Sequence, residues 1–126
     1  MNISVLGIDT AKNVFELCGQ NRVGRVVFRE RIRRKEFLSR LAELERTWVV
    51  LEASGGSHYW AREITKLGHK VSLIAAQFVK PYVKGNKTDR ADAEAICQAA
   101  RRDGMRFVAI KTIGQQEIQF LHRVRS

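Results

Sequence analysis

Cysteine is scarce in this chain, with two residues among 126. Cys18 and Cys97 lie far apart and match neither a CxxC motif nor a zinc-ligand spacing. The three histidines, His58, His69 and His122, do not lie at ligand spacing from one another either. These absences argue against a zinc centre and predict two small buried thiols in a reducing compartment, with histidines that are structural or on the surface.

Long apolar runs are also missing, because the longest extend over only a few residues. Such runs are too short to span a membrane, and no predicted helix separates a basic face from an apolar one as a membrane-surface helix does. The N-terminus begins with a strand pattern and has neither a basic leader nor a long apolar segment, so no export signal is expected. We therefore expect a cytoplasmic protein without a membrane partner.

Acidic residues are outnumbered, since 13 Asp and Glu face 23 Lys and Arg. The resulting net charge is +10 and the sequence pI is near 10.3. An excess of this size favours a polyanionic partner, and nucleic acid is the leading candidate.

The length fits one domain that can bury a core, and the apolar pattern predicts five strands with flanking helices. The predicted strands span residues 3–8, 13–19, 25–30, a segment ending at residue 52, and 69–74. The predicted helices span about 34–45, 57–67 with Ser57 as N-cap and Gly68 as terminator, and 88–103, with a short helix or irregular crossing around Pro81. A polar turn at 20–24 predicts an antiparallel hairpin, and the whole order predicts an α/β mixed sheet covered by helices.

Four acidic residues stand where this architecture can bring them together. Asp9 follows the first buried strand and Glu52 ends the fourth, so their carboxylates meet at one sheet edge if the two strands are neighbours. Asp89 and Asp92 lie three residues apart at a helix start, which puts them on one face with Cβ atoms about 5–6 Å apart. Carboxylate oxygens suit Mg²⁺ or Mn²⁺, and two such ions commonly run phosphoryl transfer between nucleotide strands. The sequence therefore predicts a catalytic divalent-metal site with all four acids as ligands.

Each acid also has a structural interpretation. Asp89 and Asp92 are typical of a capped helix start, and Asp9 could cap the turn at residues 10–12. Glu52 is harder to explain as a surface charge, because it ends an apolar strand and precedes Ala-Ser-Gly-Gly. That glycine pair could cradle a phosphate, but a tight turn explains it equally well. The four acids together favour the metal site.

Two groups of basic residues are candidate nucleic-acid contacts. The first comprises Arg22, Arg25, Arg29, Arg31, Arg33, Arg34 and Lys35; the second, which flanks the proposed metal ligands, comprises Lys80, Lys84, Lys87, Arg90, Arg101 and Arg102. A solvated face is the ordinary explanation of such runs, whereas phosphate contacts by the second group would position a strand. Tyr59, Trp60 and Tyr82 could stack on bases, although Trp60 has core spacing with Ile64 and Leu67.

Four segments resemble the DEDD transposases of bacterial IS one-ten insertion sequences: residues 7–12, 51–55, 74–96 and 115–125. The Lys-Thr-Asp-Arg-Ala-Asp motif within the third segment is the most specific. The resemblance extends over essentially the whole chain but over only the N-terminal domain of such a transposase. It implies a ribonuclease H-like fold similar to RuvC-type Holliday-junction resolvases, and it assigns the acidic tetrad to Asp9, Glu52, Asp89 and Asp92.

The resemblance further implies a division of labour. Family members carry a C-terminal transposase domain with a serine used in strand exchange, and they work as oligomers with a structured noncoding RNA that pairs with donor and target DNA. Residues 1–112 are then the RuvC-like DEDD catalytic domain, and 113–126 begin a helical connector to an absent C-terminal domain. The helical pattern over 115–126 has no stop signal, which agrees with a fragment of a longer polypeptide.

The expected function is metal-dependent cleavage and exchange of DNA strands during insertion-sequence transposition, with the fragment alone incompetent for full transposition. A Holliday-junction-resolving nuclease and a nucleic-acid-binding module inactive on its own are the alternatives. A small-molecule kinase or actin-like ATPase is disfavoured, because the chain is too short for a two-lobed nucleotide cleft and lacks a second glycine-rich phosphate loop.

Overall fold

Five strands form one mixed sheet in the computed structural model, which describes residues 2–85 and 89–114, with the backbone alone for residues 89–91. The strands are β1 (Val5–Thr10), β2 (Val14–Gln20), β3 (Val26–Arg33), β4 (Trp48–Glu52) and β5 (Lys70–Ile74). The helices are α1 (Phe37–Glu43), α2 (Ser57–Lys66), α3 (Ala76–Val79) and α4 (Asp89–Ala100), with 3-10 turns at Arg34–Glu36 and Lys80–Tyr82. In the part of the chain described, no helix has the length and apolarity needed to cross a membrane.

The strand order is β3-β2-β1-β4-β5. Strand β2 is antiparallel to both of its neighbours, whereas β1, β4 and β5 run parallel to one another. The predicted hairpin is confirmed: β2 and β3 pair across a turn in which Gly24 has a φ of +86°. The predicted mixed five-stranded sheet is therefore confirmed, with β3 extending three residues further than expected.

Each face of the sheet has its own apolar layer, because successive side chains of a strand point to opposite faces. Leu6, Ile8 and their neighbours form one layer with residues of α1 and α2. Val5, Cys18 and Val50 form the other layer with residues of α3 and α4. The sheet is thus buried on both faces, and polar side chains can be exposed at the ends of its strands.

Helix α4 lies unusually close to the sheet because both surfaces carry small residues. A Cβ atom on Gly7 of β1 would stand 2.6 Å from the Ala93 carbonyl oxygen and 2.8 Å from the Cys97 sulfur. The Gly7 N–H donates to Cys97 Sγ at 3.1 Å, and that thiol in turn donates to the Cys18 carbonyl at 3.0 Å. A hydrogen bond with Cys18 and burial raise the pKa of the Cys97 thiol, so it stays protonated. The prediction of two buried thiols is confirmed.

Some helix termini differ from the predictions. Ser57 was predicted as the N-cap of α2, and this is wrong: Gly56 holds that position and Ser57 is the first helical residue. Its hydroxyl instead accepts from the Ser54 N–H and donates to the Ser54 carbonyl, both at 2.8 Å, which closes the loop before the helix. The helix predicted over 34–45 is a 3-10 turn followed by α1.

Other predicted boundaries are met or untested. Gly68 follows the end of α2 with a φ of +99°, as predicted. Helix α4 ends at Ala100, three residues early, and its predicted start at Thr88 lies outside the described residues. The predicted connector over 113–126 is described only as far as residue 114, so its helix stays a prediction.

Both histidines in the described part are buried and structural, as predicted, whereas His122 lies outside it. His69 donates through Nε2 to the Leu41 carbonyl at 2.8 Å and accepts from the Thr47 N–H at Nδ1. His58 accepts from the Lys111 N–H at 3.1 Å. Its contact helps to fix the segment that covers the edge of β5, where Val108 bridges to Leu73.

Protonation of His58 should loosen that segment. Burial, assisted by the positive charges of Lys111 and Arg62, lowers the pKa of His58 below 6.5. The unfolded chain therefore binds the proton more readily, and the stability contributed by neutral His58 is present above about pH 6.5 and lost as the pH falls through its folded-state pKa. The urea midpoint of unfolding should therefore decrease as the pH is lowered from 7.5 to 5.

The matched variant is His58→Asn, whose amide oxygen can take the place of Nδ1 as an acceptor without titrating. We expect the urea midpoint of this variant to depend less on pH than that of the parent protein. Equal pH dependence in both proteins would show that His58 stays uncoupled from folding in this range.

Candidate active site

Asp9 and Glu52 lie at the carboxyl ends of two neighbouring parallel strands. The register pairs Gly7 with Val50 and Ile8 with Leu51, so Asp9 and Glu52 are the next residues of their strands. Neighbouring strands are about 4.8 Å apart, and both residues are half-buried. The metal-site hypothesis required β1 and β4 to be neighbours, and the structure pairs them.

The two acids also share a face of the sheet. Val5, Gly7 and Asp9 alternate along one side of β1, and Val50 and Glu52 do so along β4. Val5 and Val50 both pack in the core layer on the α4 side. Asp9 and Glu52 therefore lie at the α4 face of the sheet.

The direction of α4 brings its first turn toward the same edge. Cys97 contacts the Gly7 nitrogen and lies 3.9 Å from the Val5 carbonyl, whereas Ala93, one turn earlier, lies against Gly7. Helix α4 therefore lies antiparallel to β1. From Ala93 to Asp89 is about 6 Å along the helix, and from Gly7 to Asp9 is about 7 Å along the strand. The start of α4 thus approaches the end of β1.

The acidic tetrad itself stays a prediction. Asp92 is half-buried in the first turn of α4, and the side chain of Asp89 lies outside the described residues. Among the side chains that the structure describes, no three His, Cys, Asp or Glu residues form a group that could hold a metal ion. Asp9, Glu52 and Asp92 are all among these side chains and do not form such a group. The strand register places Asp9 beside Glu52, and the convergence of Asp92 on them stays a prediction.

A fifth acid, Glu16, also lies at this edge and was not predicted from the sequence. It pairs directly with Asp9 across β1 and β2, is buried, and receives a hydrogen bond from Arg31 Nε at 2.5 Å. The sequence feature that could have indicated Glu16 is an acid within the apolar pattern of β2. In the hairpin this acid stands opposite Arg31 of β3. Arg31 balances the Glu16 carboxylate, which keeps a second negative charge beside Asp9 compensated.

The described members of the second basic group lie toward opposite ends of α4. Lys80 and Lys84 are exposed just ahead of α4, whereas Lys87 and the Arg90 side chain lie outside the described residues. Arg101 follows the other end of α4, about 18 Å from its start, and donates to the Arg22 carbonyl at 3.2 Å. Arg102, also exposed, is beside it. Nucleic-acid binding by this group stays a prediction, which the placement favours for the residues before α4.

The fold defines the class of protein. The structure of T. thermophilus RuvC in complex with Holliday junction substrate matches with a TM-score of 0.57, over 82% of this chain and 98% of that chain, at 16% sequence identity. The chain therefore has the RuvC-like form of the ribonuclease H-like fold, as predicted.

The sequence comparisons define the family. The profile of the IS110 (IS one-ten) DEDD family, described as transposase, matches residues 6–126, and the chain belongs to this family. It is 52% identical over 126 residues to a probable family 20 transposase of Pseudomonas aeruginosa and 47% identical over 124 residues to the transposase for insertion sequence element IS1111A of Coxiella burnetii. These matches include 100% and 98% of this chain but 37% and 34% of the relatives, so the chain spans about a third of their length.

Gly7→Ala should displace α4 and with it Asp92. The added methyl group would meet backbone and sulfur atoms at less than 3.0 Å, which requires the helix to shift. Overpacking of this kind typically costs about 1–3 kcal/mol. Chemical denaturation should show that loss of unfolding free energy, and Gly55→Ala is the control because nothing lies within 4 Å of its added Cβ. Equal stability of the two variants would contradict the close approach of α4.

Proposed function

We propose that this chain is the catalytic domain of an insertion-sequence transposase, in which Asp9, Glu52, Asp89 and Asp92 hold divalent metal for DNA strand cleavage and exchange. The family and the RuvC-like fold support this function. The observation that carries it is the alignment of Asp9 and Glu52 on neighbouring strands at the face covered by α4.

The donor chemistry fits Mg²⁺ or Mn²⁺. Asp9, Glu52 and Asp92 offer carboxylate oxygens in half-buried positions, and hard cations prefer oxygen ligands. The chemistry that such ions supply when bound is stabilisation of the charge on the attacking and leaving oxygens of the phosphodiester. The contribution of the protein is to hold Asp9 and Glu52 on rigid strands and to fix Asp92 through the packing of α4.

The same proposal covers domains and partners. Residues 1–112 form the catalytic domain, and 113–126 lead into a helical connector. DNA is the substrate, with phosphate contacts from Lys80, Lys84, Lys87, Arg90, Arg101 and Arg102. The complete protein works as a homo-oligomer with a structured noncoding RNA, and it acts in the cytoplasm.

A second candidate function is cleavage of four-way DNA junctions. The fold match to a RuvC bound to a Holliday junction favours it. Cleavage of a synthetic four-way junction in preference to DNA that carries the insertion-sequence ends would support the nuclease over the transposase.

Asp92→Asn in the complete protein should leave DNA binding largely intact and abolish strand cleavage. Residues that only support metal ligands cost about 10- to 100-fold when mutated, so loss of a direct ligand should reduce cleavage at least about 100-fold. Asp103→Asn is the matched control, because it removes the same charge from an exposed position beyond the other end of α4. Cleavage of labelled DNA in Mg²⁺ measures the effect.

Metal binding gives a readout independent of cleavage. Mn²⁺ should raise the thermal midpoint of the parent and of Asp103→Asn, and raise that of Asp92→Asn less. Cleavage by Asp92→Asn at the parent rate would show that Asp92 is only a first-turn acid of α4.

DNA binding should weaken steeply as salt rises. Replacing Lys80 and Lys84 with Gln should lower affinity for all sequences alike, because phosphate contacts carry no base information. Removal of one lysine–phosphate interaction should reduce the slope of log K against log salt by about 0.9 on duplex DNA. Fluorescence anisotropy across a salt series measures both quantities, and a slope unchanged by the double substitution would exclude these lysines from the interface.

A further inference from the structure

An open cleft of about 650 Å³ lies beside the acidic edge, and the metal site and the phosphate contacts proposed around α4 do not use it. It is lined by Asn13, Arg33, Arg34, Lys35, Leu38, Tyr59 and Trp60. Three of these side chains are cationic and two are aromatic. The combination of positive charge and aromatic rings is the one that single-stranded nucleic acids meet in their binding grooves, where phosphates follow the charge and bases stack.

The aromatic wall of the cleft is fixed by the core. Trp60 makes edge-to-face contacts with Phe15 at 5.2 Å and with Phe37 at 5.4 Å, measured between ring centroids. Tyr59 contacts Trp60 in the same manner at 5.1 Å, yet Tyr59 itself is 47% exposed. The core spacing predicted for Trp60 is therefore confirmed, and Tyr59 is left as a positioned ring with a free surface. A flat ring held in this way can stack on a base with little loss of entropy.

The cations of the cleft are only partly used within the fold. Arg33 pairs with Glu36 at 3.1 Å. The Arg34 guanidinium lies over the Trp60 ring, 5.5 Å from its centroid, and Lys35 is exposed. Arg34 is thus oriented on an aromatic face while its charge remains at the cleft, and Lys35 adds a second cation beside it. With Arg33 offset by Glu36, the charges of Arg34 and Lys35 leave the described lining net positive.

The cleft continues the edge that carries the acids. Asn13 follows β1, and its carbonyl accepts from the Arg34 N–H at 2.8 Å, which joins the loop after Asp9 to the end of β3. Tyr59 stands in the first turn of α2, directly after the loop that follows Glu52. A strand bound at the acids can therefore pass over the sheet edge into the cleft.

We propose that this cleft binds an unpaired segment of nucleic acid next to the catalytic edge, with Arg34 and Lys35 on its phosphates and Tyr59 stacked on one base. This inference rests on the proposed function. If DNA is cleaved at the acids, the cleft would hold the unpaired strand beside the cleaved bond. The proposal assigns a base-contacting role to the α1 and α2 side of the sheet, where the acids do not lie.

The test compares Tyr59→Leu with Tyr59→Phe in the 126-residue chain. The probes are a labelled thymidine oligonucleotide of about twelve nucleotides, its uridine RNA counterpart, an abasic strand of equal length, and a duplex. Tyr59→Leu should weaken binding to the thymidine or uridine strand by roughly ten-fold, and Tyr59→Phe should bind like the parent, because only the ring is needed. Neither variant should change binding to the abasic strand. The stronger of the two single strands identifies DNA or RNA as the source.

Charge is tested separately with Lys35→Gln against Lys66→Gln, an exposed lysine at the far end of α2. Lys35→Gln should reduce the slope of log K against log salt by about 0.7 on single strands, and Lys66→Gln should leave it unchanged. This pair also decides the question if Tyr59→Leu fails to fold.

Three results would overturn the proposal. The first is that Tyr59→Leu and Lys35→Gln both bind the thymidine strand like the parent. The second is that the parent binds abasic and thymidine strands with equal affinity, and the third is that Tyr59→Leu weakens duplex binding as much as single-strand binding. Failure of the proposed function looks different. In that case the cleft variants behave as expected on single strands, while Asp92→Asn of the complete protein still cleaves DNA.

Discussion

The close approach of α4 to β1 at Gly7 is the constraint on which the rest of the site depends. A side chain at this position would occupy the space of the Ala93 carbonyl and the Cys97 sulfur. Glycine in a strand interior weakens the strand, and its presence is typical of a backbone that something approaches closely. Here that approach fixes the height and direction of the helix that carries Asp89 and Asp92. The small residues of α4 serve the same end, since bulkier ones would lift its first turn away from Asp9 and Glu52.

The large positive charge is only partly available to a nucleic acid. Arg29 pairs with Glu94 of α4 at 2.8 Å, and Arg31 pairs with the buried Glu16. Arg40 of α1 makes two hydrogen bonds to Glu30 of β3, which raise the pKa of its guanidinium. These arginines join helices and hairpin to the sheet. Among the described cations, Lys80 and Lys84 ahead of α4 and Lys35 at the cleft are exposed and available to phosphates.

Much of the fold could be predicted from the sequence because buried strands carry a strong local pattern. The sequence left open whether β1 and β4 are neighbours, and the structure pairs them, so Asp9 and Glu52 end adjacent strands. Features that depend on tertiary register could not be predicted. Glu16 becomes a neighbour of Asp9 only once the β1–β2 register is known, and Arg101 lies away from the acidic edge because α4 runs backward along β1. Ser57 is not the N-cap, because its hydroxyl hydrogen-bonds to the backbone of Ser54 in the preceding loop.

The two faces of the sheet present different chemistry at this edge. The α4 side presents carboxylates held by rigid strands, and carboxylate oxygens are the donors that hard cations prefer. The α1 and α2 side presents rings and cations, and its aromatic wall is anchored by Phe15 and Phe37 of the core. Because the loops after β1 and β4 belong to both sides, a strand that crosses the edge meets the two surfaces in succession. Under the two proposals, the packing of the sheet sets the distance between the metal ligands and the cleft that would hold the flanking bases.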